Sequence, residues 1–192
     1  AYNTAVGWEA GKLINTGTYN TLIGARSGDA LTTGAYNVTL GMDTLTTEDT
    51  GNKNIAIGYA ALENLNSDSD AYNIAIGHSA GNAMTTGTSN TLIGGLAGDA
   101  LTDGNANTAV GRGALSGETR GDRNVAIGYE TLLAQNNTSD VDAYNVAVGY
   151  VAGTAMTTGV NNTLIGGTAG DALTTGTNNV AMGYGALGSE DT

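Results

Sequence analysis

An Asn-x-x-x-Gly motif recurs eleven times along this chain at almost constant spacing. Successive motif glycines are 17 residues apart, except for one step of 19 and one step of 21 residues. A fixed period of this length is typical of a solenoid, in which one short unit is stacked many times. The sequence therefore predicts a single repeat array spanning residues 1–192. Its eleven rungs, numbered in chain order, are centred on Gly7, Gly24, Gly41, Gly58, Gly77, Gly94, Gly111, Gly128, Gly149, Gly166 and Gly183.

Each rung carries the pattern of a short strand that ends in a tight turn. With the motif glycine as position 0, position −1 is always Val, Ile, Leu or Met, and position −3 is always Thr, Val or Ile. Such residues two apart predict a strand whose −3 and −1 side chains share the inner face. The glycine behind them suits a turn. Most rungs have a second glycine at +10, and rungs 4 and 8, which carry the insertions, lack it.

The prediction is an all-β fold: a parallel β-solenoid (β-roll) of eleven rungs of about 17 residues, roughly 50 Å long. Each rung is expected to hold a strand, a turn, a second short strand and a turn. A helical turn has room only after the glycines of rungs 4 and 8, over residues 59–65 and 129–135. The array lacks capping rungs and stops before rung 11 is complete, so we expect a fragment of a longer chain.

Two columns of the repeat predict how the rungs stack. The asparagines at −4 are expected to form a hydrogen-bonded ladder along the solenoid. Position +4 follows the order Gly, Gly, Leu, Leu, and when it is Gly an apolar residue stands at +7 instead. The same core volume is then filled from two different positions, which predicts two rung shapes in a module of four rungs.

Position −2 leads to an oligomer prediction. It should face away from the inner −3 and −1 side chains, yet it is apolar in ten of the eleven rungs. A strand that is apolar on both faces is expected to be buried on both. The sequence thus predicts that this row packs against other copies of the chain, most suitably in a homotrimer. The row consists of Ala5, Leu22, Ala56, Ala75, Leu92, Ala109, Ala126, Ala147, Leu164 and Ala181.

The composition argues against several classes of partner. The formal charge is −12, from 18 acidic and six basic residues, so the chain lacks the basic footprint that nucleic acid or an anionic membrane surface would require. No apolar run approaches the ~20 residues that a membrane-spanning helix needs. The sequence contains no cysteine, which excludes disulfides and cysteine-ligated metals.

The run Asn-[Thr/Val/Ile]-Ala-[Ile/Val]-Gly, as in residues 54–58 and 124–128, resembles the head repeats of YadA-type trimeric autotransporter adhesins. The longer form with Asp-Ala-Leu-Thr-Thr-Gly, as in residues 171–176, is similar to repeats of phage tail-fibre proteins. The resemblance implies a trimeric parallel β-roll on an extended fibre, located on a virion or bacterial surface outside the cell. The adhesin heads use a shorter period than 17 residues, and no neck, stalk, membrane anchor or chaperone domain is present in this sequence.

The residues that could carry chemistry or binding have structural alternatives. The only histidine, His78, stands at +1, where other rungs place aromatic residues, so we expect no catalysis and no enzyme. Acids gather in the two inserted corners, at Asp68 and Asp70 and at Asp140 and Asp142; a calcium site is conceivable there, but a solvated acidic loop is favoured and no cofactor is expected. The tyrosines all fall at −5 or +1, as stacked ladders or as a surface for a host glycan or protein. The candidate contact residues are Trp8, Tyr59, His78, Tyr129, Tyr150 and Tyr184.

The sequence is compatible with three functions. The first is a non-enzymatic structural or attachment segment of a fibre, which displays or spaces a receptor-binding end. The second is an ice-binding solenoid, since Thr-Thr-Gly corners such as 32–34 and 157–159 form a partial threonine array that several rungs interrupt. The third, a polysaccharide-degrading solenoid enzyme, lacks a convergent acid or base cluster. The sequence favours the fibre segment.

Overall fold

The computed structural model describes residues 1–188 and has the predicted all-β solenoid architecture. The predicted array also includes residues 189–192, which lie outside the described residues. Eleven three-residue strands, one per rung at positions −3 to −1, form one parallel sheet, and two shorter strands, β8 and β10, form a second. The strands are β1 (Thr4–Val6), β2 (Thr21–Ile23), β3 (Val38–Leu40), β4 (Ile55–Ile57), β5 (Ile74–Ile76), β6 (Thr91–Ile93), β7 (Thr108–Val110), β8 (Gly121–Asp122), β9 (Val125–Ile127), β10 (Val141–Asp142), β11 (Val146–Val148), β12 (Thr163–Ile165) and β13 (Val180–Met182).

Equivalent positions of successive rungs lie directly above one another. Thr4 pairs with Thr21, and Val146 pairs with Thr163, with the same register at the other steps of the large sheet. The backbone bonds continue beyond the strands, as where the Arg26 amide donates to the Trp8 carbonyl at 2.8 Å. The insertions of rungs 4 and 8 are therefore absorbed at one corner without disturbing the strand register.

Within residues 1–188, the predicted second strand is present only in rungs 7 and 8, as the two-residue strands β8 and β10, and is wrong for the other rungs. The predicted helical turn is also wrong. The described residues contain no helix, and most of the chain after each motif glycine is a series of turns. Positions +2 and +4 have left-handed backbone in every rung, for example at Ala60 (φ 54°) and Leu62 (φ 50°) in rung 4. Two left-handed residues separated by one residue prevent both an extended strand and a right-handed helical turn.

The predicted orientation of the strands is also wrong. The −2 side chains point into the core, and the −3 and −1 side chains point outward. The −2 row was predicted to face outward as an oligomer interface. Within a single chain, however, its members have 0–3% of their surface exposed, apart from Ala5 in the first rung. This row therefore cannot be the surface on which copies meet. The residues concerned are Ala5, Leu22, Ala56, Ala75, Leu92, Ala109, Ala126, Ala147, Leu164 and Ala181.

The reason for this orientation is the thinness of the solenoid. The −2 side chains pack against those at +3, +4 and +7 across an interior that is one layer of side chains deep. Alanine fits this space in most rungs, whereas the branched residues at −3 and −1 would overfill it. The −4 asparagines are buried on the same side as the −2 residues, as the two-residue period of a strand requires.

The two rung shapes are confirmed, and size complementarity explains them. In rung 6 the −2 residue is Leu92, whose methyl groups fill the space beside Gly98 of the same rung and Gly81 of the rung before. A Cβ atom at either glycine would lie 2.8 Å from a Leu92 methyl carbon. In rungs without a glycine at +4, such as rung 7 with Ala109 at −2, a leucine at +4 fills the gap, as Leu115 does. A large −2 residue every fourth rung therefore sets the four-rung module.

The motif glycine itself is required by the closeness of the rungs. Gly94 has φ +137°, and a Cβ atom on it would lie 2.4 Å from the carbonyl oxygen of Gly111 in the next rung. The contact recurs at every motif glycine up to Gly166. Any side chain at this position would push two rungs apart.

Candidate functional site: the outward face of the sheet

The outward face of the large sheet is an uncharged strip, two side chains wide. We call the −3 and −1 residues of all eleven rungs the strand face. Its −3 column is Thr, Val or Ile, its −1 column is Val, Ile, Leu or Met, and neither column contains a charged residue. Many of these side chains are substantially exposed, including Val38 at 37% and Leu40 at 49%.

The size of this strip is unusual for a chain that is exposed to water. Together with the +1 column that borders it, the strand face spans eleven rungs ~4.8 Å apart and four residues of ~3.3 Å, an area of roughly 650 Å². The largest apolar patch on an ordinary monomer is about 300–600 Å², and one side of a standard protein interface is about 800 Å². The strand face is thus comparable in area to a protein interface.

Stacked aromatic columns border the strand face on both sides. At −5, Tyr2, Tyr19 and Tyr36 stack with ring centroids 5.1 Å apart and nearly parallel planes. Farther along the same column, Lys53 lies over the Tyr72 ring and Arg123 lies over the Tyr144 ring. The aromatic ladder predicted for this column is confirmed in its first three rungs, and in rungs 4 and 8 a cation takes the place of a ring.

The +1 column holds the predicted contact residues. Tyr59 stacks on His78 at 5.3 Å, and Tyr129 stacks on Tyr150 at 5.6 Å. His78 is therefore one of the stacked planar side chains of this column. Trp8 and Tyr184 stand exposed in the first and last rungs. Because the paired rings stack along the solenoid axis, they present edges and hydroxyl groups, rather than ring faces, to a ligand.

The acidic corners are held by ion pairs. Lys53 pairs with Asp70 at 2.5 Å, and Arg120 pairs with Asp140 at 3.0 Å. Arg123 pairs with Asp142, and Asp68 accepts a hydrogen bond from the Thr50 hydroxyl group. Within residues 1–188, no group of three or more acidic or histidine side chains is arranged to hold a metal ion. The calcium hypothesis for Asp68, Asp70, Asp140 and Asp142 gains no support from this arrangement.

The asparagine ladder is confirmed, and it stabilises one corner of the solenoid. The Asn107 backbone amide donates to the Asn90 Oδ1 atom at 2.9 Å, and the Asn90 Nδ2 atom donates to the Gly104 carbonyl at 2.8 Å. The backbone-to-Oδ1 bond repeats from Asn20 to Asn179. In rung 4, which lacks the +10 glycine, the buried Nδ2 atom of Asn54 has no hydrogen-bond partner.

Two buried glutamates, which the sequence analysis missed, fasten the inserted corners. Glu48 accepts hydrogen bonds from the Gly51 amide and from the amide and hydroxyl group of Ser67. Glu118 accepts from the amides of residues 119–121 and from both the backbone and side chain of Asn137. Each stands at +7, a column that is apolar in most rungs, in the rung before an insertion. That position was the signal by which they could have been found.

Burial shifts the acidity of three carboxyl groups. It raises the pKa of Glu48, although the hydrogen bonds from Ser67 and Gly51 act in the opposite direction. It also raises the pKa of Asp29 and Asp99, two equivalent residues at +5, each with one buried oxygen that no hydrogen bond reaches.

Comparison with known proteins adds no assignment. No family model, curated protein or solved structure that was compared with this chain matches it. Among residues 1–188 there is no helix with the length and apolar character needed to cross a membrane, and those residues enclose no pocket. The strand face and its aromatic borders are the surfaces from which a function can be argued.

Proposed function

We propose that this chain is a rigid, non-enzymatic segment of an extracellular fibre, of the kind found in phage tail fibres or bacterial surface adhesins, that displays or spaces a receptor-binding end. Three copies lie side by side with their strand faces turned toward a common axis. The observation that carries the proposal is the continuous, uncharged strand face, which together with the bordering +1 column covers roughly 650 Å² and so approaches one side of a standard interface.

The shape and charge of the chain favour three parallel copies. The strand face is only two side chains wide and bends away at the Asn and Gly corners, so three such strips can enclose a narrow triangular core. Copies related by a three-fold axis along the fibre also keep equivalent rungs at the same level. With a net charge of −12 per chain, contact through the strand face keeps the acidic corners away from one another.

The test is the native mass of the 192-residue chain by sedimentation equilibrium. We expect three times the chain mass of 19.1 kDa. Ile57→Glu with Ile93→Glu places two carboxylates on the strand face and should yield a folded monomer. The matched control, Thr86→Glu with Thr158→Glu, adds the same charge at exposed corners and should remain assembled. A monomeric parent chain, or equal masses for the two variants, would refute the assembly.

Attachment is assigned to the +1 column in this proposal. Trp8, Tyr59, His78, Tyr129, Tyr150 and Tyr184 border the strand face and would stand at the rim of an assembled fibre. Stacked rings that expose hydroxyl groups suit hydrogen bonding to a host-cell glycan or protein surface. A glycan array probed with the labelled chain should lose signal on Tyr129→Ser with Tyr150→Ser and keep it on Thr86→Ser with Thr158→Ser. Equal signals for both variants would remove this column from the proposal.

The alternative, ice binding through the Thr-Thr-Gly corners, receives less support. The first threonine of these corners uses its hydroxyl group within the solenoid: Thr85 donates to the Thr102 carbonyl at 3.1 Å, and Thr157 donates to the Thr174 carbonyl at 3.0 Å. These hydroxyl groups are engaged between rungs and cannot order water freely. Thermal hysteresis in a dilute solution of the chain would reverse this ranking.

A further inference from the structure

The strand face carries five threonines whose hydroxyl groups make no hydrogen bond within residues 1–188. Thr4, Thr21, Thr91, Thr108 and Thr163 occupy position −3 in rungs 1, 2, 6, 7 and 10. At this position the other rungs place valine or isoleucine. The hydrogen bonds found within residues 1–188 include none to these five hydroxyl groups. The corner threonines differ, because Thr32 and Thr102, for example, donate to carbonyl groups of the next rung.

We propose that these five threonines set the axial register of the assembled chains, so that each rung meets its own equivalent in the neighbouring copies. This inference rests on the proposed function, since it requires the strand faces to meet around a three-fold axis. With the −3 column of each chain nearest the axis, three hydroxyl groups lie around the axis at each threonine level. Each can donate one hydrogen bond to the next and accept one from the previous, which closes a ring with no polar group left unpaired.

Other registers leave these hydroxyl groups without partners. If a neighbour slides by one rung, only two pairs of threonines meet: Thr4 with Thr21, and Thr91 with Thr108. A slide of four rungs would otherwise be permitted by the four-rung module. It leaves only two pairs of threonines in contact: Thr21 with Thr91, and Thr91 with Thr163. In each case the remaining threonines face valine or isoleucine, or extend past the end of the neighbour. A buried hydroxyl group without a partner is unfavourable, so both displaced registers are disfavoured.

The arrangement follows a physical rule known from coiled coils. A buried polar residue in an apolar seam lowers the stability of the assembly but selects the one alignment that pairs it with its equivalent. An all-valine −3 column would bind at least as tightly and would accept several registers. The irregular order of threonine levels, at rungs 1, 2, 6, 7 and 10, is what distinguishes one register from all the others.

The test replaces Thr21, Thr91, Thr108 and Thr163 with valine and measures register separately from assembly. Since the chain has no cysteine, Met42→Cys beside the strand face accepts a single nitroxide label. In the parent, pulsed electron resonance should give one narrow distance between labels. In the four-valine variant the mass should stay trimeric, while the distribution broadens with components displaced by multiples of ~4.8 Å along the axis. The control, Thr33, Thr86, Thr158 and Thr175 all changed to valine at exposed corners, should keep the narrow distance.

The outcomes separate this inference from the proposal beneath it. A trimer that keeps a single narrow distance after the four valine substitutions would overturn the register inference and leave the assembled fibre in place. A parent chain that sediments as a monomer would overturn both. Valine favours strands and replaces threonine without a change of size, so the variant is expected to fold.

Discussion

At the scale of single residues, the glycine at +4 determines whether a rung can hold leucine at −2. Gly98→Ala would place a Cβ atom 2.8 Å from Leu92 and 2.9 Å from Leu101, on a backbone with φ +55°. Overpacking and left-handed strain together should lower the free energy of unfolding by about 2–4 kcal/mol. The measurement is the urea midpoint, with Gly95→Ala of the same rung as control, since the nearest atom to its Cβ would be 4.0 Å away. Equal midpoints would contradict the packing argument.

The asparagine ladder makes a second prediction at the residue scale. Asn90→Ala leaves the Asn107 amide and the Gly104 carbonyl without partners, and should cost about 2–4 kcal/mol of unfolding free energy. Asn54→Ala removes a side chain whose Nδ2 atom is already unpaired and whose bond from the Asn73 amide is longer, at 3.2 Å. Its cost should be smaller by about 1 kcal/mol or more. The two variants make the same substitution in different rungs, and urea unfolding measures the cost of each. A larger loss of unfolding free energy for Asn54→Ala than for Asn90→Ala would contradict this prediction.

At the scale of structural elements, the two inserted corners should differ in strength. Glu118 accepts five hydrogen bonds and Glu48 accepts three, and both tie an insertion to the rung before it. Glu118→Ala should therefore open its corner more than Glu48→Ala opens its own. Hydrogen exchange should accelerate at residues 119–121 and 137 in the first variant, and at residues 51 and 67 in the second. Strands β4 and β9 should remain protected in both. Loss of protection throughout the sheet would mean that these residues hold the whole solenoid.

The element scale also marks where sequence reasoning succeeded and where it failed. Spacing predicted the strand at −3 to −1 of each rung, parallel stacking and the Gly/Leu exchange at +4, because each depends only on period and side-chain volume. It could not give the left-handed residues at +2, where Glu9, Ala60 and Thr168 have no residue type in common. Backbone hydrogen bonds between rungs impose that conformation, so the residue types at +2 do not indicate it. For this reason a strand was predicted where turns occur.

At the scale of the whole molecule, the sequence-based prediction reversed the inner and outer faces of the sheet for a related reason. Both faces of each strand are apolar, so alternation alone could not tell which face is buried. The buried −4 asparagine was the available signal, because residues at −4 and −2 must share a face. With the faces assigned correctly, the proposed partner surface moves from the alanine row to Thr, Val and Ile at −3 and to the −1 column. The +1 column keeps its predicted place beside that face.

The distribution of acids over the whole molecule determines how its stability responds to pH. Burial raises the pKa of Glu48, Asp29 and Asp99 above the values of about 4 that such groups have in an unfolded chain. The folded chain therefore binds protons more tightly than the unfolded chain, and stability from these groups is lost as pH rises through their folded pKa values. Asp70 has a lowered pKa through its hydrogen bond with Lys53, so its contribution is lost only at lower pH.

Mild acid should therefore stabilise this protein, whereas most proteins lose stability on acidification. Thermal unfolding followed by circular dichroism, at fixed protein and salt concentrations, should show a midpoint that rises as pH falls from 7 toward about 4, the ordinary pKa of such carboxyl groups. Protonation also reduces the net charge of −12, and high salt should remove that part of the increase by screening. Glu48→Gln combined with Asp99→Asn should flatten the remaining dependence, since neither replacement can gain a proton, whereas Asp68→Asn in an exposed corner should leave the slope unchanged. A midpoint that falls between pH 7 and pH 5 would mean that the hydrogen bonds to these carboxylates outweigh their burial.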